Sequence, residues 1–129
     1  MVQVSVPVAV APGVVAVVGA GRPGAVAGVD VLLAMGRTYS ALGQGPKAIF
    51  YFDQATLMDP LYAEAWERKG ATHIALLESE KAVEALNKSI EMDPGRYTAF
   101  AKRGEANFYI RLYERAIADY TRAITTAQT

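Results

Sequence analysis

Two patterns of apolar and polar positions divide the chain. Val2, Val4, Val6, Val8 and Val10 alternate with Gln3, Ser5, Pro7 and Ala9, a period of two that suits an extended strand. Pro7 lacks a ladder donor, which confines such a strand to an edge. From Val29 onward the pattern predicts helices over roughly 30–42, 46–58, 63–77, 79–92, 97–110 and 113–126. Pro60 and Pro94, which cannot continue a helix, follow Asp59 and Asp93 and close the second and fourth.

The helical part repeats. Gly36, Gly70 and Gly104 are spaced by 34 residues, and the same spacing relates Pro60 to Pro94, Ala48 to Ala82 and Ala116, Phe52 to Leu86 and Tyr120, and Leu32 to Trp66 and Phe100. The sequence resembles the tetratricopeptide repeat family, whose unit is a 34-residue helix–turn–helix. Repeat one, 29–62, carries Leu32, Met35, Gly36, Tyr39, Ala48, Phe52, Ala55 and Pro60 on the family's signature positions. Repeat two, 63–96, carries Trp66, Gly70, Ala82, Leu86, Ser89 and Pro94; repeat three, 97–129, carries Phe100, Gly104, Ala116, Tyr120 and Ala123. Lys69 and Arg103 stand where leucine is usual, and His73 and Asn107 where tyrosine is usual. The resemblance implies an all-α, right-handed solenoid of three helix pairs, each too small to bury its apolar face alone. Glycine within a helix costs about 1 kcal/mol against alanine. The three glycines are therefore expected to admit the paired helix closely, with Ala48, Ala82 or Ala116 opposite.

Composition separates an arm from this array. Residues 1–28 contain 10 Val, 6 Ala, 5 Gly and 3 Pro, and Arg22 is their only charge. A boundary near Gly28 follows, giving a non-helical arm over 1–28 and a repeat domain over 29–129. The uncharged run Met1–Gly21 has no basic start and is interrupted by Pro7, Pro12 and Gly13, so no membrane span is expected. Cytoplasmic placement is the default, with organelle targeting by the arm left open. Within the arm, Gly19, Gly21 and Gly24 spell G-x-G-x-x-G after an apolar run. Dinucleotide binding needs a second parallel strand carrying an acidic residue, and the pattern after Gly24 never returns to a strand.

Charge and reactive side chains narrow the function. Thirteen Lys and Arg balance thirteen Asp and Glu, so the basic surplus of a nucleic-acid binder is missing. Without cysteine, and with His73 as the single histidine, no Cys-based or multi-histidine metal site is expected, and no cofactor. No Ser–His–Asp arrangement or paired carboxylates emerge, so the chain is expected not to be an enzyme. Trp66 reads as core, His73 as a packed or hydrogen-bonded side chain, and Glu78, Glu80 and Glu84 as a solvated helix start.

What remains is a protein-interaction module or scaffold binding a partner peptide or helix on the concave face. In proteins the chain resembles, that face is read at fixed positions of each repeat. Carried onto this sequence, those positions are Asp30, Leu33, Arg37, Ser40 and Ala41 in repeat one, Glu64, Glu67, Ala71, Ile74 and Ala75 in repeat two, and Thr98, Ala101, Glu105, Phe108 and Tyr109 in repeat three, with the basic Arg68 and Lys102 added to the groove. Chaperone-binding members clamp a C-terminal carboxylate with lysines, asparagines and an arginine at positions held here by Leu33, Arg37, Arg68, Thr98 and Lys102. The asparagines and the first lysine are absent, while Arg68 and Lys102 fall in partly suitable places. The alternatives are therefore a co-chaperone with an altered clamp, or a small structural subunit of a large assembly. Ala116, Tyr120, Ala123 and Ala127 form one stripe of the last helix and Ile117 and Ile124 another, of which its partner helix covers one. Exposure of the other implies self-association through that helix, docking onto a larger partner, or a longer array, with the Val2–Val10 arm as a competing cover.

Overall fold

The computed structural model describes residues 8–11, 14–16 and 26–129. Six helices follow one another: α1 (Val29–Ala41), α2 (Gly45–Met58), α3 (Ala63–Ala75), α4 (Ser79–Met92), α5 (Tyr97–Tyr109) and α6 (Tyr113–Ala127). They pack as three pairs, α1 with α2, α3 with α4 and α5 with α6, and the pairs stack through α2 on α3 and α4 on α5. This is the expected all-α helical-repeat array. Ahead of it β1 (Val8–Ala11) and β2 (Val14–Ala16) form an antiparallel hairpin in which Val8 faces Ala16 and Ala9 faces Val15. The hairpin lies beside α2. The extended pattern of Val2–Val10 is thus realised at Val8–Val10, while Val2–Pro7 and the glycine motif Gly19–Gly24 lie outside the described residues.

The turn inside each pair has one chemistry used three times. Gly43, Leu77 and Arg111 occupy the left-handed region with φ of 75°, 63° and 66°. The amides of the residues that follow, Gln44, Glu78 and Leu112, donate back to the carbonyls of Tyr39, His73 and Asn107 at 2.9, 2.8 and 2.8 Å. These bonds satisfy carbonyls that the helix end leaves open, the Schellman arrangement. The left-handed residue is why α3 stops at Ala75, short of the expected Leu77. Between pairs, Asp59 and Asp93 each accept a backbone N–H two residues on, from Leu61 at 3.3 Å and Gly95 at 3.0 Å. With the prolines, these aspartates turn the chain into α3 and α5.

Glycine sets how closely the helices of a pair approach. A Cβ added at Gly36 would strike the Phe52 ring, one at Gly70 would lie 2.6 Å from Leu86 Cγ, and one at Gly104 would lie 2.9 Å from Tyr120 Cε1. The nearest atoms opposite each glycine belong to the larger side chain one turn beyond Ala48, Ala82 or Ala116. The alanines are buried, at 0–3% exposure. A missing side chain on one helix makes the socket for a large one on the other.

Each pair's core is completed by the next pair. Val29, Leu33, Ala48, Phe52 and Ala55 form one cluster with Ala65 of α3. Ile74, Ala82 and Leu86 form a second with Ala99 and Ala106 of α5. Polar bonds tie the same seams. Lys69 Nζ lies 2.7 Å from Asp53 Oδ1 of α2, and Arg103 Nη1 donates to Asn87 Oδ1 of α4 at 2.9 Å. Asp53 and Asn87 are one repeat apart, as are Lys69 and Arg103, so the two departures from leucine are inter-repeat ties. Arg103 also grips Asp119 of α6 with two nitrogens, at 3.0 and 2.7 Å, and Asn107 donates to the same carboxylate at 2.9 Å. His73 is buried and its Nδ1 lies 2.9 Å from Glu78 Oε1, an interaction that holds the Glu78 carboxyl below its ordinary pKa.

Gly70→Leu should lower stability by roughly 1–3 kcal/mol through overpacking against Leu86, read as a drop in the urea midpoint. An unchanged midpoint contradicts the α3–α4 pairing. Leu77→Gly should act the other way. Leu77 is 87% exposed, so little apolar burial is lost. Relief of the left-handed backbone, less glycine's added chain entropy, should leave a gain of up to about 1 kcal/mol.

Candidate functional site

The stacked pairs have an inner and an outer side. Among the described residues α1 approaches α3 and α3 approaches α5, whereas α2, α4 and α6 make no such approach to one another. First helices crowded together and second helices splayed apart define a curved array whose concave face belongs to α1, α3 and α5.

A depression of about 570 Å³ opens on this face between α1 and α3. Ala34, Arg37, Thr38, Ser40 and Ala41 line it from α1, Arg68, Ala71 and Thr72 from α3, and Phe52 from beneath. Five expected groove residues, Arg37, Ser40, Ala41, Arg68 and Ala71, converge here. Ala34, Thr38 and Thr72 escaped the sequence reading. Their signal was helical spacing, because Ala34 lies one turn before both Arg37 and Thr38, and Thr72 lies one turn beyond Arg68.

The charges along the face are largely matched internally. Arg68 Nε bonds Glu64 Oε2 at 3.0 Å, and Glu64 also accepts the Tyr62 hydroxyl at 3.3 Å. Glu67 Oε1 accepts from Arg96 Nε at 2.7 Å and from Thr98 Oγ1 at 3.0 Å, fixing the start of α5 against α3. Lys102 Nζ lies 3.5 Å from Glu105 Oε1. Arg37 is exposed and makes no side-chain hydrogen bond or ion pair among the described residues. At the α5 end Phe108 and Tyr109 are each about half exposed, with ring centroids 5.6 Å apart and planes inclined at 68°. Burial raises the pKa of the Tyr120 hydroxyl, and neighbouring Glu105 and Tyr109 add to that shift.

Two expected groove residues are not on the surface. Leu33 is 4% exposed and packs with Phe52 and Ala65, and Ile74 is 7% exposed and packs with Ala99 and Ala106. Both positions lie at the margin of the concave stripe, where a branched apolar side chain gains more by turning into the seam beneath it. Trp66 also departs from expectation. It is half-buried on another flank of α3, with its indole N–H bonded to the Pro60 carbonyl at 2.8 Å and Lys69 above its ring.

The tetratricopeptide repeat family model matches residues 33–96 and again residues 72–129. The chain belongs to the tetratricopeptide repeat family. Similar solved structures include the second TPR of Spaghetti (RPAP3) bound to an HSP90 peptide, SRMEEVD, at 18% identity and a TM-score of 0.74, covering 76% of this chain and 91% of that one. The Sgt2 TPR domain from Aspergillus fumigatus is 26% identical with a TM-score of 0.76, covering 78% and 67%. The TPR2B domain of yeast Sti1, in complex with an Hsp70 peptide, is 21% identical with a TM-score of 0.75, covering 76% and 78%. No curated protein sequence matches the chain. Of the five clamp positions in this tetratricopeptide array, Arg37 and Arg68 share the depression, Leu33 is buried, Thr98 is bonded to Glu67, and Lys102 is paired with Glu105. Among the described residues no cluster of three His, Cys, Asp or Glu stands ready for a metal, and no helix is long and apolar enough to cross a membrane.

Structural and free positions of the face should separate by stability. Glu67→Ala should cost roughly 1–2 kcal/mol, because it strips Arg96 and Thr98 of a partly buried charged acceptor. Arg37→Ala, which breaks no bond, should stay within about 0.5 kcal/mol of the parent in the same urea titration.

Proposed function

We propose that residues 29–129 are a non-catalytic protein-interaction domain that binds a peptide or helix of a partner protein along the concave face, with residues 1–28 as an accompanying arm. The observation that carries this is the open depression between α1 and α3 with the unmatched Arg37 beside it. A partner carboxylate placed there would gain a charge-assisted bond that no group of the described chain already supplies. Phe108 and Tyr109 offer exposed aromatic surface at the other end of the face, the residue type that anchors interfaces. The recognised segment is accordingly one that carries a carboxylate and, some distance along it, an apolar side chain. Structural neighbours holding peptides of HSP90 and Hsp70 support a peptide as the ligand class.

A second reading, a co-chaperone with an altered clamp, rests on Arg37 and Arg68 sharing that depression. In it a C-terminal carboxylate sits between two arginines of α1 and α3, without the asparagines and lysine of the usual set.

Partners captured on the full chain from its native source and identified by mass spectrometry test the first reading. Phe108→Ala combined with Tyr109→Ala should weaken a verified partner by roughly tenfold or more with helicity unchanged. Unaltered affinity would move the binding surface off the concave face. Calorimetric titration with SRMEEVD separates the readings. Binding that disappears in Arg37→Ala supports the altered clamp, and no binding to the parent chain removes it.

A further inference from the structure

The two ends of the array expose the two halves of the seam that joins its interior pairs. On α6, Tyr113, Ile117 and Ile124 lie along one stripe and are 49, 65 and 61% exposed. One repeat earlier, the matching Val83 and Ile90 of α4 are half-buried, packed against the cluster that Ala99 and Ala106 of α5 complete. On α1 and its C-terminal cap, Val31, Met35 and Leu42 lie along the other stripe, and Val31 and Leu42 are 58 and 63% exposed. The residues in Val31's place in α3 and α5, Ala65 and Ala99, are completely buried against the preceding pair.

The end residues differ from the internal ones in a matched way. Each internal seam carries a polar tie, Lys69 to Asp53 and Arg103 to Asn87. In the same register the free ends hold Met35 in place of the cation and Thr121 in place of its acceptor. Met35 removes the cation and Thr121, like Asn87, carries no charge, so neither face would bury an unpaired ion at this point. The described hairpin does not cover the α1 stripe, since β1 and β2 lie beside α2 and Val31 is exposed.

We propose that copies of this chain associate head to tail, the α6 face of one lying on the α1 face of the next, as α2 lies on α3 and α4 on α5 within the chain. Tyr113 stands where the seams inside the chain have the small Gly45 and Ser79, so this seam is wider near Leu42 of the next copy than the internal ones. The contact joins different surfaces, so it is not limited to two copies and adds them progressively. It leaves the concave faces free and in line, and it stands independently of any ligand bound there.

Sedimentation velocity of the full chain from micromolar to millimolar concentration tests this, together with two variants altered only at exposed positions. One carries Ile117→Lys and Ile124→Lys, the other Val31→Lys and Met35→Lys, and circular dichroism confirms that both keep their helices. The parent chain should sediment faster with concentration, its average mass passing that of a dimer. Each variant alone should remain monomeric. Mixed in equal amounts, the variants should form a species of two chains that grows no further, since each retains the face the other lacks. A parent chain that stays monomeric throughout overturns the proposal. So does self-association of the α1 variant alone, which would indicate α6 meeting α6 or the arm, and so does failure of the mixture to pair.

Discussion

A helix pair of this length has more apolar surface than its two helices can hide from water between them, so the array depends on the seam where a following pair supplies the missing cover. Ala65 and Ala99 mark that seam, both without exposed surface and both belonging to the pair that arrives. Their size matters. An alanine lets the incoming first helix lie close enough to close the cluster around Phe52 or Leu86. Within a pair the same economy of space is achieved by glycine, with Gly36, Gly70 and Gly104 seating Phe52, Leu86 and Tyr120. Small residues on first helices and large ones on second helices thus set two spacings, one inside a pair and one between pairs.

Apolar packing alone would tolerate sliding along such a seam. The polar ties restrict it. Lys69 with Asp53 and Arg103 with Asn87 repeat one geometry at successive joints, and Arg96 with Glu67 adds a third tie across α3 and α5. Where the family usually places leucine, this chain has cations whose stems cover apolar surface while their heads reach the previous pair. Arg103 goes further, since Asp119 and Asn107 gather around it and couple α5 to α6. A directional bond distinguishes one register from its neighbours in a way that contact between methyl groups does not.

These structural demands decide what the concave face has left for a ligand. Leu33 and Ile74 are drawn inward by the seams beneath them, and Glu67 is committed to holding α5. Glu64 with Arg68 and Lys102 with Glu105 neutralise each other along the surface. Arg37, with no side-chain hydrogen bond or ion pair among the described residues, and the exposed aromatic pair Phe108 and Tyr109 stand at opposite ends of the face.

Periodicity is a one-dimensional property, and what it controls was legible from the residues alone. The recurrence of 34, the helix positions to within about two residues, the closing role of Pro60 and Pro94 and the family all follow from spacing along the chain. Arg37, Arg68 and Ala71 were also reachable, since helical geometry places them on one side of their helices. The rest depended on distances across the fold. That the Phe52 ring closes on Gly36, and that Leu33 and Ile74 turn inward, is settled by how far apart two helices come to rest. Nothing local marks Leu77 and Arg111 as left-handed, because no glycine announces the turn as Gly43 does; the conformation is imposed by the helix pair that the turn must connect. Likewise Glu67 looks like a groove residue until Arg96, 29 positions later, is brought to it. Sequence spacing orders side chains around a single helix, and only the packed array decides which of them meet across the space between two.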